Sequence, residues 1–178
     1  MEKRKEIWSW CFYDFGNSPL TTLVITFIYS TYITKAIAEN EIDGTFLWSH
    51  AISITAVIVS LLSPILGAIA DKGGYRKIFL TLTTYMSIGA TALLFFPIKG
   101  QILFALILVV IANVNFELGG VFYNAYLPEI VSRKKIGRIS GIGWGAGYLG
   151  GLLAMLVAMV GFVSADDPWF GLKIDTGE

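Results

Sequence analysis

The sequence predicts an all-α integral membrane protein with five spans, and three observations carry that prediction. Hydrophobic residues make up 55% of the 178 positions and charged residues 15%, with a mean hydropathy of +0.68; a soluble domain of this size needs a larger polar share. Five apolar runs, at about 10–38, 47–70, 77–98, 102–126 and 139–163, each reach the roughly 20 residues that a helix needs to cross a hydrocarbon core about 30 Å thick. The basic residues are also sorted. Ten Lys or Arg fall at the N-terminus and after the second and fourth runs, against three, Lys35, Lys99 and Lys173, on the opposite side. The positive-inside rule then puts the N-terminus in the cytoplasm and, after five spans, the C-terminus outside. The acids Glu39, Glu41, Asp43, Asp166, Asp167, Asp175 and Glu178 all fall on that outer side.

The first span follows a basic start (Lys3, Arg4, Lys5) and an interfacial crowd of Trp8, Trp10, Phe12 and Tyr13. Its core is 20–38. A long version starting near Trp10 and kinked at Pro19 is favoured, because Asp14, Ser18, Thr22, Thr26 and Tyr29 then form one polar stripe. A cleaved signal peptide ending at Ala36-Ile37-Ala38 is disfavoured by the length of the apolar stretch and by the spans that follow it. Residues 39–44 read as a short acidic loop. The second span is expected to bend at Pro64, the third to close at Pro97, Lys99 and Gly100, and the fourth to end at Pro128. A basic loop, Arg133, Lys134, Lys135 and Arg138, leads to the fifth span, and 164–178 forms an outer polar tail whose Pro168-Trp169-Phe170-Gly171 reads as interfacial.

Chemistry-bearing residues are few. One cysteine, Cys11, and one histidine, His50, make neither a disulfide nor a metal site, and neither H-E-x-x-H nor G-x-S-x-G is present. No enzyme, no cofactor and no nucleic-acid partner is expected; the partner that composition implies is the lipid bilayer. Between spans two and three lies G-A-I-A-D-K-G-G-Y-R-K, residues 67–77, a charged hinge. Gly67 and Asp71 share a helix face there, and Gly73 and Gly74 end the helix. An acid at a helix C-terminus opposes the macrodipole, so Asp71 needs a cation or another helix's N-terminus.

In span four, Asn113, Glu117, Gly120 and Asn124 recur at helical spacing. An ionised Glu117 at mid-bilayer would cost about 2.5–3.5 kcal/mol on insertion scales, and no Lys or Arg lies well inside any span to pair with it. It therefore faces a wet cavity or stays protonated. Asp14 poses the same question, and both acids are expected in the inner part of their helices, lining a cytoplasm-facing cavity; the alternative is that each bonds to a neighbouring helix. Span five carries Gly143, Gly147 and Gly151 at spacings of four, a flat ridge for helix packing. Within it, 145–150 matches G-x-G-x-x-G, which is rejected as a dinucleotide site because no strand precedes it.

The spacing of Gly67, Asp71, Lys72, Gly74, Arg76 and Lys77 resembles the loop between spans two and three of the major facilitator superfamily of secondary transporters. In that family the loop braces the transporter's two halves and helps control their rocking, so the resemblance implies a gating role for these six residues. The glycines of span five are only imperfectly similar to the superfamily's antiporter motif, lacking its proline and one residue of spacing, and do not support antiport. Trp8 to Pro19, together with N-A-Y-L-P-E at 124–129, I-S-G-I-G at 139–143 and P-W-F-G in the tail, resembles the vacuole-effluxer branch of the superfamily across essentially the whole chain.

That likeness implies amino-acid or related small-solute efflux by alternating access, in a bacterial plasma membrane or an organelle membrane. It matches Asp14 and Asn17 to the branch's first-span motif and Asn124 and Pro128 to its fourth-span motif. Asp14, Asn17, Asn113, Glu117 and Asn124 are thus the candidate solute or proton path. It further implies that the chain is the N-terminal part of a twelve-span transporter, truncated before span six, so that the partners of Asp71 and of the glycine ridge are expected in a missing C-terminal half. The rival reading is a small non-transporting membrane protein, acting as a scaffold or assembling with a separately encoded partner.

Overall fold

The computed structural model describes residues 4–164 and Trp169, and every regular element among them is helical. The helices are α1 (Arg4–Ile37), α2 (Glu41–Gly73), α3 (Arg76–Leu93), α4 (Ile102–Ile130) and α5 (Ile136–Val163). Apart from Trp169, the expected interfacial motif at 168–171 and most of the polar tail lie outside the described residues.

Four of the helices, α1, α2, α4 and α5, are long and apolar enough to cross a membrane. Helix α3 falls short of the expected span at 77–98. It ends at Leu93, and the chain then tightens into turns in which Leu94, Phe95 and Phe96 bond back to the third residue before each. Pro97 is the cause, because it pushes Phe96 out of the helical region. The 18 residues that remain rise about 27 Å and include Arg76 and Lys77.

Helix α4 is the centre. Of its most apolar stretch 44% is buried inside the bundle, against 6% for α2. It contributes to all three apolar clusters: Ala105, Leu106, Leu108 and Val109 against Ile33 and Ile37 of α1; Leu118 and Phe122 against Ala70 of α2; and Tyr123 and Leu127 against Trp10 and Cys11 of α1. Helices α2 and α3 flank it, while α5 packs chiefly on α1. Small residues and hydroxyls let α3 approach, with Ser87 Oγ donating to the Ala112 carbonyl at 3.0 Å.

Two expected boundaries change. Pro128 does not end α4, which runs to Ile130 and closes when Val131 turns extended; a proline in a last turn forfeits one hydrogen bond without stopping the two residues after it. Pro64, where a bend is expected, lies inside α2, which continues through it. The acidic loop shrinks, because Asn40 caps α2 by accepting from the Asp43 N–H at 2.9 Å, so that Glu41 and Asp43 form the first turn, where the dipole favours acids.

In α1 the helix does continue through Pro19. Ser18 N–H bonds to Asp14 O at 3.0 Å and Thr22 N–H to Ser18 O at 3.2 Å, and beyond Pro19 the coil widens into π-type turns at Leu20–Phe27 and Ile33–Ile37. Having no N–H, Pro19 leaves the Phe15 carbonyl without its usual helical donor.

Candidate gating bracket and solute path

The hinge is built on Gly74, whose φ of 66° is the left-handed conformation that closes α2, with its N–H returning to the Ala70 carbonyl. The turn delivers Arg76, first residue of α3, back toward the end of the helix just left. Its guanidinium binds Asp71 through Nη2 at 2.7 Å and Nε at 2.8 Å, and reaches Glu129 and the Ala125 carbonyl near the end of α4. One cation therefore brackets the ends of α2, α3 and α4.

This corrects the expectation that Asp71 finds its partner outside the chain: five residues downstream, the reversal at Gly74 brings a cation within reach. Of the other hinge residues, Lys72 is exposed, Gly67 has open space where a side chain would stand, and Lys77 faces a cleft described below. Glu129 was not singled out in the sequence. Its signal was an acid one turn from a helix end on the basic side, which called for a cation.

The glycine ridge of α5 also finds its partner within the chain. Side chains of α1 lie where β-carbons on α5 would stand: Trp10 at Gly143, Asp14 Oδ2 (2.6 Å) and Ser18 Oγ (2.7 Å) at Gly147, and Thr22 Oγ1 (2.5 Å) at Gly151. Gly150, off the strict four-residue spacing, meets backbone: a β-carbon there would run into the Phe15 carbonyl. That carbonyl is the one Pro19 leaves free, so proline on one helix and glycine on the other form a single joint. The joint accounts for the correction, because α1 supplies the very surface that a further helix was expected to provide.

The five candidate path residues are not brought together. Asp14 is half-buried in the α1–α5 seam and its carboxylate makes no hydrogen bond or ion pair among the described residues, and Asn17 lies partly buried one turn on. Asn113 is buried within the bundle, whereas Glu117 and Asn124 stand exposed on α4 with Gly120 open between them. The expected face is thus covered at one end and open at the other. Because α4 runs to Ile130, Glu117 sits near its middle rather than in its inner part.

A cavity of about 840 Å³ takes none of these five residues. It lies between α1, α3 and α4, walled by Trp10, Tyr13, Thr84, Tyr123 and Tyr126. Trp10 stacks on Tyr123 with centroids 4.3 Å apart and donates its indole N–H to the Tyr123 carbonyl at 3.0 Å. Tyr13 stacks on the same ring at 5.1 Å and shares a 2.8 Å hydrogen bond with Thr84 of α3. Sequence reading took Trp10 and Tyr13 as interfacial anchors, and no linear spacing could have joined them to Tyr123 and Thr84 on two other helices. Among the described residues no group of His, Cys, Asp and Glu is placed to hold a metal.

Comparison with known proteins agrees with this architecture. The chain is 29% identical over 154 residues to an uncharacterized MFS-type transporter, YxiO, of Bacillus subtilis (strain 168), covering 85% of this chain and 36% of that protein. It is 32% identical over 158 residues to an uncharacterized protein of Aquifex aeolicus (strain VF5), covering 86% and 38%. It is 34% identical over 91 residues to autophagy-related protein 22 of Coccidioides immitis (strain RS), covering 51% and 15%. The chain therefore spans less than two fifths of the length of these curated relatives. No solved structure matches it significantly. The family described as "Vacuole effluxer Atg22 like" matches residues 36–172, most of this multi-pass membrane chain, and the chain belongs to that family.

Proposed function

We propose that the chain is the N-terminal portion of a secondary transporter that moves a small solute, of the amino-acid class, by alternating access. The observation that carries this reading is Glu117. It is an acid near the middle of the central helix, on a face open beside Gly120 and Asn124, with no ion pair among the described residues. A charge so placed costs about 2.5–3.5 kcal/mol in a lipid surround, which is offset where a polar path or a proton meets it. Asp14 and Asn17 on α1 and Asn113 on α4 complete the proposed path, and a C-terminal half supplies its far wall.

In this proposal α3 crosses the membrane with the other four helices, and the basic end lies in the cytoplasm. The Arg76 bracket is then the gate: while it holds Asp71 and Glu129, the inner ends of α2, α3 and α4 move as one body, and its release lets them part. Lys72, Gly74 and Lys77 shape the same loop, with Gly67 leaving room for a helix of the other half.

Two experiments test this. Coding DNA downstream of Glu178 that encodes about seven further spans supports the transporter reading; a clean stop with its own terminator favours a small scaffold protein. In the two-half protein reconstituted in liposomes, Glu117→Gln is expected to abolish amino-acid flux or flatten its pH dependence. Flux and pH profile unchanged would remove Glu117 from the path.

A further inference from the structure

The cleft between α1, α3 and α4 has an order along its length that the proposed path does not use. At one end stand Lys5 of α1 and Lys77 of α3, both exposed and neither in an ion pair among the described residues. Two acids line that end as well: Glu129 is already held by Arg76, and Glu6 has an interaction of its own. From Lys77 the cleft follows one face of α3 past Thr81, Thr84 and Tyr85 to Ile88. The eleven helical steps from Lys77 to Ile88 rise about 16 Å, close to the ~15 Å depth of a single leaflet's hydrocarbon. The α3 wall is open to the side, with Tyr85 and Ile88 exposed at 69% and 58%.

We propose that this cleft is a binding site for an anionic phospholipid, its phosphate held between Lys5 and Lys77 and one acyl chain lying along α3 to Ile88. Three features select this occupant. Two unpaired cations at one end match an anionic head, a largely apolar trough one leaflet deep matches a chain, and the sideways opening admits a molecule from the bilayer. A water-soluble solute would use the charged end alone and leave the trough without a partner. The Tyr123 hydroxyl, buried in the wall without a hydrogen-bond partner among the described residues, marks a polar point partway along. Lys77 is shared with the hinge loop, whereas Lys5 and Ile88 belong neither to that loop nor to the proposed path, so the site does not rest on the transport reading.

The test uses the chain in nanodiscs of mixed phosphatidylglycerol and phosphatidylcholine, with retained lipid counted by native mass spectrometry. Retention of at least one phosphatidylglycerol in preference to phosphatidylcholine is expected. Each lysine near a membrane surface is worth about fivefold in binding an anionic lipid, so Lys5→Gln with Lys77→Gln should lower that preference by roughly 10- to 30-fold. Ile88→Trp, at an exposed position that leaves the fold intact, fills the trough and should lower retention with both lysines present. Equal retention of the two lipids by the unaltered chain overturns the proposal, as does an unchanged preference in the double variant. Insensitivity to Ile88→Trp, or displacement of the lipid by millimolar glycerol phosphate, would show a site for a free phosphate instead.

Discussion

Helix α1 meets its neighbours in two opposite ways. Toward α5 it is seated almost backbone to backbone, with Asp14, Ser18 and Thr22 filling the space above glycines and the Phe15 carbonyl lying on Gly150. Toward α3 it stands away across a cleft of about 840 Å³, spanned by a hydrogen bond between Tyr13 and Thr84, while Trp10 and Tyr13 stack on Tyr123 of α4. The difference follows from side-chain size. In a bilayer no hydrophobic force draws helices together, so close packing forms where small residues permit it, and bulky aromatics hold helices apart. One helix is thus fixed on one side and leaves room on the other.

The strongest challenge to this contrast is Gly150→Val. A branched side chain facing the Phe15 carbonyl cannot be relieved by a rotamer change, so the loss should reach or exceed the top of the ~1–3 kcal/mol range for overpacking, and the chain should fail to accumulate in membranes. Next is Trp10→Ala, which removes a buried ring that both stacks on Tyr123 and donates to its carbonyl. A loss on the order of 3 kcal/mol is expected in the unfolding midpoint in detergent.

Arg76→Gln sharpens the comparison at the hinge. Its carboxylate partners are more than half exposed, at 57% for Asp71 and 53% for Glu129, so stability should fall by only about 1–2 kcal/mol for the two pairs. Arg76→Lys should recover only part of it, since an ammonium cannot span both acids in the same fork. Smallest is Tyr13→Phe, which deletes the hydrogen bond across the cleft at a cost of about 0.5–1 kcal/mol by the same unfolding assay.

Much of this architecture was legible in the residues themselves. Apolar run length located all five helices, and the four-residue spacing of Gly143, Gly147 and Gly151 located the face on which α5 packs. What spacing could not supply was the partner. Asp71 looked stranded because its cation lies beyond a chain reversal, and the ridge looked vacant because the helix that fills it is the first in the chain. Gly150 was read only as the last glycine of the rejected 145–150 match, because its packing role depends on the Phe15 carbonyl of another helix. Pro97 and Pro128 were read alike, yet the first shortens α3 and the second leaves α4 running, since position within the last turn decides what a missing N–H costs. The cleft was invisible for a related reason: its walls come from residues about 70 to 110 positions apart, joined only when α4 becomes the centre.

The most direct measurement is an alanine scan of the glycines of α1 and α5, followed by the unfolding midpoint of each variant in detergent. Gly16, Gly141 and Gly145 have nothing within 4 Å of an added β-carbon, whereas Gly143, Gly147, Gly150 and Gly151 do. The account predicts two separate groups: the first unchanged or stabilised by up to about 1 kcal/mol through helix propensity, the second destabilised, with Gly150→Ala lowest because its obstacle is backbone. A single overlapping distribution, with the seam glycines as tolerant as the open ones, would contradict the seating of α1 on α5.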